Sequence, residues 1–262
     1  MKTIQDFKKM KSSGQKISLV TSYDFWSASI IDESSIDGVL VGDSAAMVMH
    51  GFESTVNAEI AMMCYHVNAV KKGLKNKILI ADFPFLAHKK GVAELMNGID
   101  RIMKAGAQAV KIEGAAGNLE IINGLVNSGV PVMGHLGLTP QSVNQTGGYK
   151  LQGKEKISWE KIILDAVSLQ EAGAFALVLE MVPSDLARTI TEKLEIPTIG
   201  IGAGLYTDGQ ILVLQDLLGL TKNFEPKFLR KYLNGFDLVK QALENFNGDV
   251  KMKKYPSSKE SY

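Results

Sequence analysis

Cysteine is almost absent: Cys64 is the only one among 262 residues, so no intrachain disulfide can form. A chain of this length buries a substantial core without covalent staples, and their lack fits a reducing compartment. No apolar run approaches the roughly 18 residues of a membrane span. The opening stretch MKTIQDFKKMKSSGQK lacks the apolar centre of a signal peptide. Together these absences predict a cytoplasmic protein with no membrane partner. Neither sign of charge is in excess: Lys and Arg number 29, Asp and Glu 28, for a net charge of +1. Such a balance gives no global positive field for nucleic acid and no acidic surplus of the kind that keeps chains disordered.

What the chain does have is a recurrence of short apolar runs that end in a polar or glycine-rich group. They are 17–24 (ISLVTSYD), 38–43 (GVLVGD), 77–82 (KILIAD), 109–113 (AVKIE), 130–135 (VPVMGH), 174–180 (AFALVLE), 197–204 (PTIGIGAG) and 210–216 (QILVLQD). Continuous runs of Val, Ile and Leu are the signature of strands buried on both faces. Between most of them lie segments of helical periodicity, at 58–72, 92–105, 159–172 and 184–194. Ser184 and Asp185 read as caps after Pro183, and Gly73, Gly106 and Gly173 stand where helices stop. Alternating strands and helices predict a parallel α/β fold, and eight repeats favour a closed (β/α)8 TIM barrel over an open sheet. Residues 1–262 read as one domain, with a further amphipathic helix over 226–246 and a polar tail.

The strand ends carry the chemistry. Asp24, Asp43, Asp82, Glu113, His135 and Glu180 each stand last or next to last in an expected strand. In a parallel barrel those ends share one face, the face where active sites of this fold sit. One acidic residue after a strand is ordinarily a helix cap or turn former, and Asp24 fits that description best. Repetition over successive strands weighs against it for the set. Converging carboxylates repel one another, and a hard divalent cation with oxygen ligands resolves this. Asp43 and Asp82 form the best ligand pair, with Glu113 as a direct or water-mediated third. Lys111 lies two residues before Glu113, on the same side of the strand. It either pairs with the carboxylates or binds a substrate carboxylate, since a buried ammonium needs a partner. His135 is suited to act as acid, base or hydrogen-bond donor, or to be a satisfied structural histidine. GIGAG (200–204) is by itself a weak ligand signal. Two polar loops, 139–156 and 47–56, read as lids.

Several blocks go further: GVLVGDSAAMVMHGFEST, ADFPF, AVKIEG, VPVMGHLGLTPQSVNQTGGYKLQGK, AGAFALVLEMVP, IPTIGIGAG and DGQILVLQDLLGL. In order and spacing, from Ile4 to Tyr232, they resemble the ketopantoate hydroxymethyltransferase family. The resemblance implies a (β/α)8 barrel of the phosphoenolpyruvate/pyruvate superfamily and a homo-oligomer, often a decamer. It implies transfer of a hydroxymethyl group from 5,10-methylenetetrahydrofolate to 3-methyl-2-oxobutanoate, giving 2-dehydropantoate for pantothenate and coenzyme A, with Mg²⁺. Carried over by position, it puts metal ligands at Asp43, Asp82 and Glu113, substrate contacts at Asp43, Ser44, Asp82 and Lys111, and the catalytic base at Glu180. His135 is left with a supporting role. Two departures stand out: Ala45-Ala46 where the family commonly has Leu-Gly, and Gln215 where it has His. A lyase or mutase of the same superfamily, acting on an α-keto or phosphonate acid, is the alternative reading. Against it, such enzymes often carry a cysteine in a lid, and Cys64 falls inside an expected helix.

Overall fold

A computed structural model describes residues 2–262. Eight parallel strands close into a barrel in sequence order, each paired with its neighbours and the last with the first. They are β1 (Ile17–Thr21), β2 (Gly38–Val41), β3 (Ile78–Asp82), β4 (Ala109–Glu113), β5 (Val132–Gly137), β6 (Ala176–Glu180), β7 (Thr198–Ile201) and β8 (Gly209–Leu212). Helices such as Ile60–Gly73, Val92–Ala105, Lys156–Glu171 and Ser184–Lys193 alternate with them. The expected TIM barrel is the observed fold. No helix among the described residues is long and apolar enough to cross a membrane.

Side chains alternate along a strand, so every second residue faces the barrel axis. Leu19, Leu40, Ile78, Ile80, Ala109, Met133, Ala176, Val178, Ile199 and Ile211 form one buried cluster there. The helix Ile4–Ser12 adds Phe7 and Met10 to the same cluster, which closes one end of the barrel with apolar bulk. Continuing along the strands in steps of two, the same inward columns change character. Ile78 and Ile80 are followed by Asp82, Ala109 by Lys111 and Glu113, Met133 by His135, and Ala176 and Val178 by Glu180. The C-terminal mouth is therefore ionisable where the barrel floor is apolar.

Several boundaries differ from the sequence reading. β1, β2 and β8 stop two to four residues early, so Asp24, Asp43 and Asp216 lie outside strands. Asp24 leaves the ladder because its carboxylate caps the next helix, accepting a hydrogen bond from the Ser27 amide at 2.8 Å. Asp216 belongs to the short helix Leu214–Leu217. β5 instead runs two residues past His135, to a Gly137 that pairs in register with Glu180. Gly137 has φ +95°, and a Cβ there would lie 2.1 Å from the Glu180 carbonyl oxygen, so only glycine lets the two backbones approach so closely. Ser184 and Asp185 are the first helical residues after Pro183 and make no side-chain cap; Asp185 still places negative charge at the positive end of the helix dipole.

By its internal contacts the chain divides after Val213, and Leu214–Tyr262 forms a second compact unit. Its helix is Gly235–Lys251, not 226–246. The amides of Tyr232, Gly235 and Phe236 donate to the carbonyls of Leu217, Leu218 and Gly219, and this pairing holds the preceding segment out of a helix.

Candidate active site

At the mouth of the barrel, register does most of the positioning. Asp82 of β3 stands beside Lys111 of β4, and Glu113 of β4 beside His135 of β5. All four side chains are buried. Lys111 Nζ lies 3.0 Å from Asp82 Oδ1 and 3.6 Å from Glu113 Oε1. It is also 3.1 Å from His135 Nδ1, which is itself 3.2 Å from Glu113 Oε1. On its other side, His135 Nε2 is 3.3 Å from Glu180 Oε2. The pairs run from Asp82 through Lys111, Glu113 and His135 to Glu180, across four adjacent strands.

Asp43 joins from the loop after β2. Gly42 occupies the inward position above Leu40, and a Cβ there would meet Ser44 Oγ at 2.8 Å and Asp82 Oδ2 at 3.6 Å. The missing side chain lets the chain turn, and the Asp43 amide donates to Asp82 Oδ2 at 3.0 Å. Ser44 follows, its Oγ 2.7 Å from the Tyr23 hydroxyl. Ala45 and Ala46, the departure from the family pattern, are fully buried in a one-turn helix, Ala45–Val48. Alanine is the best helix former and suits that place.

Electrostatics follow from burial and sign. Burial and the charges of Asp82 and Glu113 push the Asp43 carboxyl well above its ordinary range, with Lys111 and the Gln141 amide acting in the other direction. Burial works against the Lys111 charge, but Asp82, Glu113 and Asp43 outweigh it and raise its pKa. Burial likewise opposes ionisation of Glu113, which His135 and Lys111 nevertheless hold low. For His135, burial and the Lys111 charge favour the neutral ring; Glu113 and Glu180 prevail and raise it to about 9. The two flanking carboxylates thus favour the protonated ring of His135.

A pH dependence of stability follows. A histidine raised from about 6.5 to about 9 stabilises the fold fully below the lower value, and that contribution is lost as pH rises through the upper one. In urea denaturation without divalent metal, wild type is expected to lose on the order of 3 kcal/mol more than His135→Gln between pH 6 and pH 10. Parallel losses in the two proteins would mean that the ring is not charged in the folded state.

Three further residues belong to the site and were not singled out in the sequence. Gln141 sends Nε2 to Asp43 Oδ2 at 2.8 Å and to the Phe83 carbonyl at 3.0 Å, and its amide to Glu113 Oε2 at 3.1 Å. Tyr149 overhangs the carboxylates: burial and then the charges of Glu180, Asp43 and Glu113 raise its pKa. Its hydroxyl reaches Met47 Sδ at 3.8 Å, so the two loops read as lids touch one another. Tyr23, buried, orients the Ser44 hydroxyl. The signals for Gln141 and Tyr149 were the long polar loop and their place in the block VPVMGHLGLTPQSVNQTGGYKLQGK, neither of which singles them out. Two of the GIGAG glycines have a packing reason, since a Cβ at Gly200 would meet Thr207 Oγ1 at 2.7 Å and one at Gly204 would strike Ser184 Oγ at 2.1 Å.

Among the described residues no three His, Cys, Asp or Glu side chains converge as a ready metal site. Asp43 and Asp82 nevertheless offer hard oxygen donors to a divalent cation. Their mutual repulsion raises Asp43, and Asp82 Oδ1, though close to the Lys111 ammonium, meets no aligned hydrogen-bond donor. Mg²⁺ ordinarily takes one or two carboxylates and keeps its waters, which fits this pair. Both Glu113 oxygens are already engaged, by His135 and by the Gln141 amide.

Known proteins resemble this one along its length. A family model described as ketopantoate hydroxymethyltransferase matches residues 1–258. A 3-methyl-2-oxobutanoate hydroxymethyltransferase of Bdellovibrio bacteriovorus is 55% identical over 262 residues, covering 100% of both chains. One of Legionella pneumophila is 50% identical over 260 residues, 99% of each. Among solved structures, a phosphonopyruvate hydrolase in complex with oxalate and Mg²⁺ matches with TM-score 0.64 at 11% identity, over 99% of this chain and 93% of that one. A 2,3-dimethylmalate lyase matches with TM-score 0.59 at 14% identity, over 98% and 89%. At such identities these two structures speak for the fold alone.

Proposed function

The chain belongs to the ketopantoate hydroxymethyltransferase family and is a transferase that puts a hydroxymethyl group on 3-methyl-2-oxobutanoate in pantothenate biosynthesis, and we propose that it draws this group from 5,10-methylenetetrahydrofolate, with Glu180 as base and Mg²⁺ on Asp43 and Asp82. Family membership at this identity outweighs the lyase or mutase alternative. One observation carries the assignment of roles. Of the inward ionisable groups, Glu180 is the one partly open to solvent, with its side chain 17% exposed against 3% for Asp82 and 4% for Glu113.

The residues divide the work as follows. Asp43 and Asp82 would hold the cation, with Glu113 as a direct or water-mediated third. Bound there, Mg²⁺ supplies Lewis acidity toward the keto oxygen. Ser44, oriented by Tyr23, and Lys111 bind the substrate carboxylate, turning the C3–H bond toward Glu180. Glu180 takes the C3 proton, and the His135 imidazolium beside it steadies the carboxylate before the transfer. Water cleaves the two methylene C–N bonds and its oxygen stays on the transferred carbon, to which C3 bonds; tetrahydrofolate leaves with its two nitrogens protonated, one by the proton taken from C3 and one by a proton of the water. Gln141 Nε2 holds one of the two Asp43 oxygens in place. Tyr149 and Met47 close the loops over the site and keep bulk water away. The helix Gly235–Lys251 leaves Leu238, Val239, Leu243 and Phe246 exposed, which supports a homo-oligomer.

Proton NMR of 3-methyl-2-oxobutanoate in D₂O, with protein, Mg²⁺ and methylenetetrahydrofolate, tests this reading. The C3–H signal is expected to fall as hydroxymethyl resonances grow, both stopping on addition of EDTA. No exchange and no product from folded, Mg²⁺-loaded protein would reject the mechanism.

A further inference from the structure

Outside the carboxylate site, two histidines meet at the surface. His66 lies in the helix Ile60–Gly73, and His50 follows the short turn Ala45–Val48. Their Nε2 atoms are 2.8 Å apart. The other nitrogen of His66, Nδ1, is 2.7 Å from the Tyr23 carbonyl oxygen. A carbonyl can only accept, so Nδ1 of His66 carries the hydrogen and Nε2 of the neutral ring is a lone pair. That lone pair points at His50, which is exposed and lies on a loop. A ring that donates one N–H to a backbone carbonyl and presents the other nitrogen outward has the arrangement usual for a metal-binding histidine.

We propose that His50 and His66 together bind one divalent transition-metal ion, of the class of Zn²⁺, Ni²⁺ or Cu²⁺, at a site separate from the carboxylates. Two imidazole nitrogens suit these ions and not Mg²⁺, which selects oxygen. Without metal, His50 donates its Nε2 hydrogen to His66. With metal, His50 takes the Nδ1–H tautomer, so both Nε2 lone pairs reach the ion and no net proton is released. Tetrahedral bonds of about 2.0–2.1 Å place the two nitrogens ~3.4 Å apart, a widening of ~0.6 Å that the exposed His50 can absorb. Water fills the remaining positions. The ion would fasten the loop carrying Met47 and His50 to the helix carrying His66, and this helix touches Tyr23, the partner of Ser44. Neither histidine has a part in the proposed transfer reaction.

The test is calorimetric titration of Zn²⁺ into wild-type protein saturated with Mg²⁺, beside His50→Gln, with amide hydrogen exchange as a second readout. His50→Gln alters an exposed side chain and leaves the His66 bond to Tyr23 intact, so the fold is retained. Wild type is expected to bind one Zn²⁺ per chain, at least ~10-fold more tightly than the variant, because one of two ligands is lost. Bound Zn²⁺ is expected to slow exchange at the amides of Met49 and Phe52 in wild type only. Equal affinity in the two proteins, no binding by wild type, or binding that leaves those amides unchanged would each overturn the assignment. Because Mg²⁺ stays in place and no turnover is read, the result is independent of the assignment of Glu180.

Discussion

Glu180→Gln is expected to slow C3 proton exchange in 3-methyl-2-oxobutanoate by about 10²–10⁴-fold, the span a positioned general base contributes. Glutamine keeps the length and shape of the side chain and an oxygen toward His135, 3.3 Å from the present carboxylate. It cannot take a proton. Asp43 and Asp82 are untouched, so Mg²⁺ binding measured by calorimetry is expected to stay within about threefold of wild type. The thermal transition is expected to move little, because Glu180 is the most solvated of the inward carboxylates. Exchange followed by NMR in D₂O, without the folate, isolates the proton step from carbon transfer. A variant that exchanges the C3 proton at nearly the wild-type rate would remove Glu180 from the role of base.

How much of this could be read in the sequence depends on which physical effect placed each residue. Asp82, Lys111, Glu113, His135 and Glu180 all lie within strands, where a period of two and a common direction fix both face and height. KILIAD and AVKIE therefore carried their own geometry. Asp43 was found for a partly wrong reason: it lies two residues beyond β2, and its place comes from Gly42 and an amide bond to Asp82. Gln141 and Tyr149 arrive on a loop whose path is set by contacts far away in sequence, so no local pattern marks them. The 226–246 helix failed similarly. Its apolar spacing was helical, but backbone bonds to Leu217, Leu218 and Gly219 claimed the first part. The His50–His66 pair joins the 47–56 loop to the helix expected over 58–72, and a contact between a loop and a helix has no period.

Lys111→Met is expected to have the largest effect on stability, and to make that stability depend on metal. Methionine fills much of the same volume but removes the only cation among Asp82, Glu113 and Asp43 apart from His135. Removing one partner of a buried ionic cluster typically costs about 3–5 kcal/mol, because the remaining charges stay desolvated and unpaired. Some of that cost is avoided by protonating Asp43, already displaced upward in wild type. A cation on Asp43 and Asp82 would avoid it too. The urea midpoint without metal is therefore expected to fall by an amount corresponding to several kcal/mol, and saturating Mg²⁺ to recover more stability in the variant than in wild type. If Lys111 also holds the substrate carboxylate, keto-acid affinity remains poor even where Mg²⁺ has restored the fold, which separates the two roles offered for it. A variant as stable as wild type without metal would show that the carboxylates are neutralised by protons and not by Lys111. One whose loss Mg²⁺ leaves unchanged would place the cation away from this cluster.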